Sequence, residues 1–134
     1  MRFEPLGPGE FELVLPPVFG RYVMAVSSDL DQPRRAFAMR HGFGHVAAGH
    51  VQEISFLSST RDWRTHEERV ADLFALIDLF PFHLIDDFLR SRTSWRAIRH
   101  AICRTIRTYT VDWPEDRVLD RADLRLLAYR SSGL

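Results

Sequence analysis

The order of apolar and polar positions divides the chain into a β-containing N-terminal part and a longer helical part. Two segments, RYVMAVSS at 21–28 and VQEISFLSS at 51–59, are typical of strands. Helical patterns follow at roughly 33–48, 65–80, 84–90, 94–109 and 114–130. Residues 1–20 are rich in proline and glycine, which favours an irregular arm with room for one short strand at 11–15.

Helix start and stop residues agree with these boundaries. Asp31 is a predicted N-cap with Pro33 in the first turn, and Gly49 is a natural C-cap. Thr65 followed by Glu68 fits a capping box. We therefore predict a single α+β domain, mainly helical, with an irregular arm at 1–20, a motif-bearing core at 21–82 and C-terminal helices at 83–134.

Composition excludes several classes of function. The formal net charge is +0, so no overall field draws the chain to nucleic acid or anionic lipid. The predicted fourth helix carries several arginines on one face, but acidic residues nearby favour a solvated face, so direct nucleic-acid binding is not expected. No apolar run approaches the ~20 residues of a membrane span. The single Cys103 suits a reducing, cytoplasmic location.

The segment RHGFGH at 40–45 carries the first candidate chemistry. His41 and His45 stand four residues apart, so a helix presents both on one face, where two imidazoles can bind one zinc ion. The spacing alone also fits two hydrogen-bonded core histidines. The opposite side of this helix is expected to pack inward, and it consists of Met39, Phe43, Val46 and Ala47.

Two carboxylates on the next helix could complete a site. Glu68 and Asp72 share one stripe of a helix that is apolar around much of its circumference. Buried carboxylates must be paired, hydrogen-bonded or bound to a metal. Glu68 as a zinc ligand and Asp72 as hydrogen-bond acceptor for a ligating histidine would satisfy both. Two histidines and a glutamate with an open fourth position form a catalytic zinc arrangement.

The motifs together resemble the ImmA/IrrE family of metallopeptidase-like domains. HGFGHVAAGH is similar to the family pattern H-E-x-G-H-x-x-x-G-H, and EERVADLFALIDLFP is similar to E-x-x-A-N-x-F-A-x-x-L-L-x-P. With the strand RYVMAVSS and the lead-in DLDQPRRAFAMRH, the resemblance covers about residues 21–82. It implies a zincin-like minimal fold, in which a small β-sheet packs against the active-site helix.

The resemblance also assigns roles to residues. His41, His45 and Glu68 would be the zinc ligands, and Asp72 stands where relatives usually show Asn. Relatives cleave helix-turn-helix transcriptional repressors, which implies a partner of that kind and a role in transcription regulation. None of this follows from composition or spacing alone.

Gly42 departs from the family pattern. Relatives have a glutamate there, the general base of the peptidase, and general acid–base help is worth about 10²–10⁴ in rate. We therefore expect a zinc-binding, peptidase-like pseudoenzyme that is weakly active or inactive. Two alternatives stay open. One is an active peptidase with a substitute base, for which Glu53 and His66 are the first candidates. The other is a metal-free protein-interaction domain.

Overall fold

Helices make up most of the part of the chain that the computed structural model describes, which is residues 2–4, 12–18, 21–49, 57–58 and 62–132. In chain order they are α1 (Gln32–Ala47), α2 (His66–Leu79), α3 (Phe82–Arg90), α4 (Trp95–Tyr109) and α5 (Glu115–Ser132). The mainly helical character predicted from the sequence is confirmed, and the observed helix ends lie within two residues of the predicted ones.

A four-stranded sheet accompanies the helices in the described chain. Its strands are β1 (Arg2–Glu4), β2 (Glu12–Val18), β3 (Arg21–Ser27) and β4 (Leu57–Ser58), in the order β1-β3-β2-β4. β1 pairs parallel with β3, whereas β2 is antiparallel to both β3 and β4. Of the strand predicted at 51–59, only Leu57–Ser58 falls within the described residues, and Glu53 lies outside them.

The expected irregular arm at 1–20 was only partly correct. β1 was not predicted, and the short strand expected at 11–15 extends to Val18 as β2. Pro16 and Pro17 argued against a longer strand, since proline lacks the N–H that a strand ladder needs. They fall between Leu15 and Val18, where the register of β2 against β3 shifts. Where the pairing is already irregular, the missing N–H donors of the prolines remove few hydrogen bonds between the strands, so β2 continues to Val18.

The helix caps follow the predicted residues. The Asp31 side chain accepts from the backbone N–H of Arg34 at 3.0 Å, and Gly49 ends α1 with φ of 73°. Thr65 caps α2 by accepting from the backbone N–H of Glu68 at 3.3 Å. In a full capping box the Glu68 side chain would accept from the backbone N–H of Thr65. Here that N–H donates to the carbonyl of Asp62 instead. The Glu68 carboxylate is thus available for other contacts.

Helix α1 packs against the sheet on one side and against α2 on the other. A small apolar cluster of Met24, Val26, Leu30 and Ala38 joins β3 to α1. The larger core lies among the remaining helices and includes Leu76, Ile85, Ile98, Ile102 and Val118. α1 therefore lies between the sheet and the helical core.

The expectation that one side of α1 packs inward was only partly correct. Met39 and Val46 pack against the cluster at the sheet. Phe43 is 47% exposed and Ala47 is also exposed. These two residues line a groove between α1 and α2, so in the described chain neither the sheet nor the helical core covers this part of the helix.

The arginine face of α4 is paired with acidic residues of α5. Arg99 Nε donates to Asp123 at 2.7 Å, and Arg107 pairs with Glu115. Arg92 and Arg96 are exposed. These contacts agree with a solvated face. No helix in the described residues combines the length and apolar character needed to cross a bilayer.

Candidate metal centre

α1 and α2 bring three metal-ligand side chains to one buried point. His41 and His45 lie on consecutive turns of α1, and Glu68 lies on the first turn of α2. Their exposures are 3%, 1% and 2%. His41 Nε2 lies 2.8 Å from Glu68 Oε2 and 3.0 Å from His45 Nε2, while His45 Nε2 lies 3.2 Å from Glu68 Oε1. The three side chains proposed from the sequence as zinc ligands therefore lie together in the structure.

Gly44 permits the close packing of the two helices at the site. A Cβ placed on Gly44 would lie 2.9 Å from both the Cα and the carbonyl oxygen of Ala71, and 3.0 Å from the Cβ of Phe74. Only a residue without a side chain fits at this crossing. The small residues at positions 44 and 71 therefore set the distance between the histidines of α1 and Glu68 of α2.

Asp72 fixes the orientation of His41. Its Oδ1 lies 2.7 Å from His41 Nδ1, and the carboxylate is fully buried. An ionised carboxylate can only accept, so Nδ1 of His41 carries a proton, and the other ring nitrogen, Nε2, lies toward Glu68. Burial would raise the pKa of Asp72, but the charges of His41, Arg117 and Arg121 outweigh it and lower the pKa.

The centre of the site brings a carboxylate against two imidazole nitrogens. A neutral His41 would direct its Nε2 lone pair at the Glu68 carboxylate, and within the described chain Glu68 Oε1 receives no hydrogen bond. Burial would raise the pKa of Glu68, but contacts with the two histidines lower it below its usual range. The arrangement therefore needs a positive charge between the three side chains, either a proton on an imidazole or a metal ion.

The spacing of the three side chains fits zinc. Zinc binds histidine nitrogen and carboxylate oxygen at about 2.0–2.2 Å, so tetrahedral ligand atoms lie roughly 3.3 Å apart. The observed separations are 2.8, 3.0 and 3.2 Å. One ligand atom from each residue can be chosen so that all three lie within 4.8 Å of one another. A shift of a few tenths of an ångström would admit the ion, and the residues present therefore fit the metal.

A known family matches the part of the chain that contains the candidate site. The model of the IrrE N-terminal-like domain, Peptidase_M78, matches residues 3–104. The chain belongs to this family. Comparisons with curated proteins and with solved structures gave no significant match. The resemblance to the ImmA/IrrE family is thereby confirmed, and the family match includes all three candidate ligands and Asp72.

Gly42 stands at the position where the family pattern predicts a glutamate. Gly42 is buried on α1 between the two histidines in sequence and has no side chain to act as a base. Of the two suggested substitutes, Glu53 lies outside the described residues. His66 is exposed and stands two residues before Glu68, about 200° around the helix at 3.6 residues per turn. The described structure therefore gives no support to His66 as the base.

The sequence analysis missed two residues that support the site. Arg117 and Arg121 of α5 both donate to Asp72, the first through Nε and Nη2 and the second through Nε at 2.6 Å. With Arg125 they recur every four residues, so one face of α5 presents three arginines. This row was the available signal, but a row of arginines usually indicates a solvated surface. α5 lies wholly outside the family match.

Proposed function

We propose that this protein binds one zinc ion through His41 Nε2, His45 Nε2 and Glu68, in a zincin-like site, and has little or no peptidase turnover. The observation that carries the proposal is the convergence of three buried side chains that can each offer one ligand atom to a metal ion; within the described chain Glu68 Oε1 receives no hydrogen bond. A metal ion satisfies all three at once. Family membership supports the same interpretation of the site.

Each side chain at the site has a separate task. His41, His45 and Glu68 would hold zinc, which acts as a Lewis acid that polarises a carbonyl when bound. Asp72 keeps the proton of His41 on Nδ1 and the ring in one orientation. Gly42 supplies no group to accept or deliver a proton, so turnover should fall by the factor of about 10²–10⁴ that general acid–base help contributes.

A site that keeps its ligands but lacks its base is suited to binding. We infer that the protein acts by recognising a partner, and that the partner is a helix-turn-helix repressor, the kind of protein that relatives in this family cleave. Such a partner would place the protein in the cytoplasm, and the free Cys103 fits that compartment. In this role the zinc ion stabilises the recognition surface and does little chemistry.

Zinc content is the first test. Protein purified without an affinity histidine tag would be measured beside His41→Ala and His66→Ala. His66 is the matched control, because it is an exposed histidine on the same pair of helices and does not enter the site. We expect nearly one zinc per chain in the wild type and in His66→Ala, and little in His41→Ala. If no variant holds zinc after zinc is supplied, the metal site is refuted.

A second experiment separates the pseudoenzyme from an active peptidase. Gly42→Glu restores the carboxylate of the family motif, so cleavage of a repressor substrate should rise by about 10²–10⁴ over the wild type. Zinc-dependent cleavage by the wild-type protein at a rate equal to Gly42→Glu would instead require a substitute base. Glu53→Gln and His66→Gln would then identify which residue provides it.

A further inference from the structure

The buried Asp72 carboxylate is shared between His41 and two arginines of α5. Its Oδ1 faces His41 Nδ1 at 2.7 Å and accepts from Arg117 Nη2 at 3.0 Å. Its Oδ2 accepts from Arg121 Nε at 2.6 Å, and from Arg117 Nε at 3.1 Å and Nη2 at 2.9 Å. Both oxygens are therefore occupied on the side away from His41, and the carboxylate cannot rotate without breaking several hydrogen bonds.

We propose that Arg117 and Arg121 are positioning residues of the metal centre, which makes α5 part of the site. This inference rests on the proposed zinc function. The arginines hold Asp72 with Oδ1 toward His41, and Asp72 in turn holds the His41 ring with Nε2 toward the ion. They touch neither the ion nor a substrate.

The two guanidinium groups are themselves held firmly. Arg121 is fully buried and donates to the carbonyl of Trp63 and to Asp120, besides Asp72. Arg117 lies over the ring of Trp113, with its Cζ 3.8 Å from the ring centroid, and its side chain is 14% exposed. A planar guanidinium fixed on several sides can hold a carboxylate in one plane, which a lysine ammonium cannot.

The charges explain why position 72 is Asp in this chain. Asp72 lies one helical turn from Glu68 on α2, and both are buried, so two carboxylates share a low-dielectric region. Two arginine charges offset this cost. An Asn would present an NH₂ group either to His41 or to the guanidinium groups, where only acceptors fit. Asp at 72 and the arginines at 117 and 121 are therefore complementary.

Arg125, the third arginine of the row on α5, provides a control for Arg117 and Arg121. Arg125 is as deeply buried as Arg121, but it donates through Nε and Nη2 to the carbonyl of Phe80 at 3.0 and 2.7 Å and lies over the ring of Phe82. It makes no hydrogen bond to Asp72 among the described contacts. Loss of Arg125 should therefore weaken the packing of α5 on α2 without altering the orientation of Asp72.

The test compares Arg117→Gln, Arg121→Met and Arg125→Met in the full chain. Three quantities would be measured: the zinc Kd by competition with a chromophoric chelator, the visible spectrum of the Co²⁺-substituted protein, and apo-protein stability by urea unfolding. Loss of a residue that orients a metal ligand weakens metal binding by about 10–100-fold. We expect a loss of that size and an altered Co²⁺ spectrum for Arg117→Gln and Arg121→Met. Arg125→Met should lose stability but keep the wild-type Kd and spectrum.

A double-mutant cycle protects the test against misfolding, since the buried Arg121→Met could unfold the apo-protein. In an Asp72→Asn background, Arg117→Gln should weaken zinc binding much less than it does in the wild type, because the group it holds has changed. An equal effect of Arg117→Gln in both backgrounds, or a wild-type Kd and Co²⁺ spectrum for Arg117→Gln, overturns the positioning role while leaving the zinc site intact. Absence of zinc from the wild-type protein overturns both proposals.

Discussion

Substitution of Gly44 by alanine tests how the site depends on the α1–α2 crossing. The new Cβ would lie 2.9 Å from backbone atoms of Ala71, about half an ångström short of the 3.4 Å at which ordinary contact begins. Because the obstructing atoms belong to the backbone, a side-chain rotation cannot relieve the overlap, and the helices must separate by roughly that amount. Zinc ligand distances tolerate only about 0.2 Å.

Two effects of opposite sign act on stability in this variant. Replacing glycine by alanine within a helix gains about 1 kcal/mol from helix propensity. Overpacking of a tight contact loses about 1–3 kcal/mol. The net change should therefore be a loss of about 0–2 kcal/mol. The larger consequence is for the metal. The helix separation of about half an ångström adds to the few tenths of an ångström by which the ligand side chains would move apart to admit zinc, and the sum exceeds the tolerance of the ligand distances.

For Gly44→Ala we would measure the stability of the apo-protein by urea unfolding and the Kd for zinc. Gly49→Ala is the matched control. Gly49 ends the same helix, and a Cβ added there would meet no neighbouring atom within 4 Å. Its φ of 73° costs a residue with a side chain about 1–2 kcal/mol. Gly49→Ala should lose stability and keep the zinc Kd. A Gly44→Ala protein stabilised by its helix propensity, with the zinc Kd of the wild type, would refute the crossing as the determinant of ligand spacing.

Four further predictions concern a helix cap, a core side chain, an exposed side chain and the buried thiol. Thr65→Ala removes the cap of α2 and should lower the free energy of unfolding by about 1 kcal/mol, as measured by urea unfolding. Ile102→Ala, at a side chain with 0% exposure, should cost about 2–5 kcal/mol in the same assay. Leu127→Ala, at 60% exposure, should stay within about 0.5 kcal/mol, and equal losses would contradict the assignment of the core. Burial raises the pKa of Cys103, so its thiolate fraction is low and iodoacetamide should label it far more slowly in folded than in urea-unfolded protein; equal rates would show that the thiol is accessible.

The convergence of the three candidate ligands could be predicted because most of it is local. His41 and His45 meet on one face through helical spacing alone, and Glu68 follows from a carboxylate on the buried stripe of the next helix. The caps at Asp31 and Thr65 were predictable for the same reason, since each depends on a hydrogen bond spanning three residues. Local hydrogen bonds and helix faces need no knowledge of the tertiary arrangement.

Features that depend on distant partners could not be predicted. Arg121 is buried because Asp72, 49 residues earlier, lies opposite it, and no local pattern distinguishes it from a solvated arginine. Phe43 is exposed because the described strands cover only part of α1, and the extent of a neighbouring element is not encoded in the helix itself. The length of β2 was underestimated because its prolines fall where the pairing with β3 is already irregular.

Asp72 and its two arginine partners lie far apart in the sequence, so the ribosome synthesises the parts of the site at different times. All three candidate ligands and Asp72 are synthesised before any part of α5. A nascent chain that has emerged as far as α4 holds all three candidate zinc ligands, while Asp72 still lacks both of its arginine partners. Its hydrogen bonds to Arg117 and Arg121 span 45 and 49 residues, so they form only after translation has passed those positions. Metal captured during synthesis would meet an incompletely oriented His41, and tight retention would begin only when α5 docks.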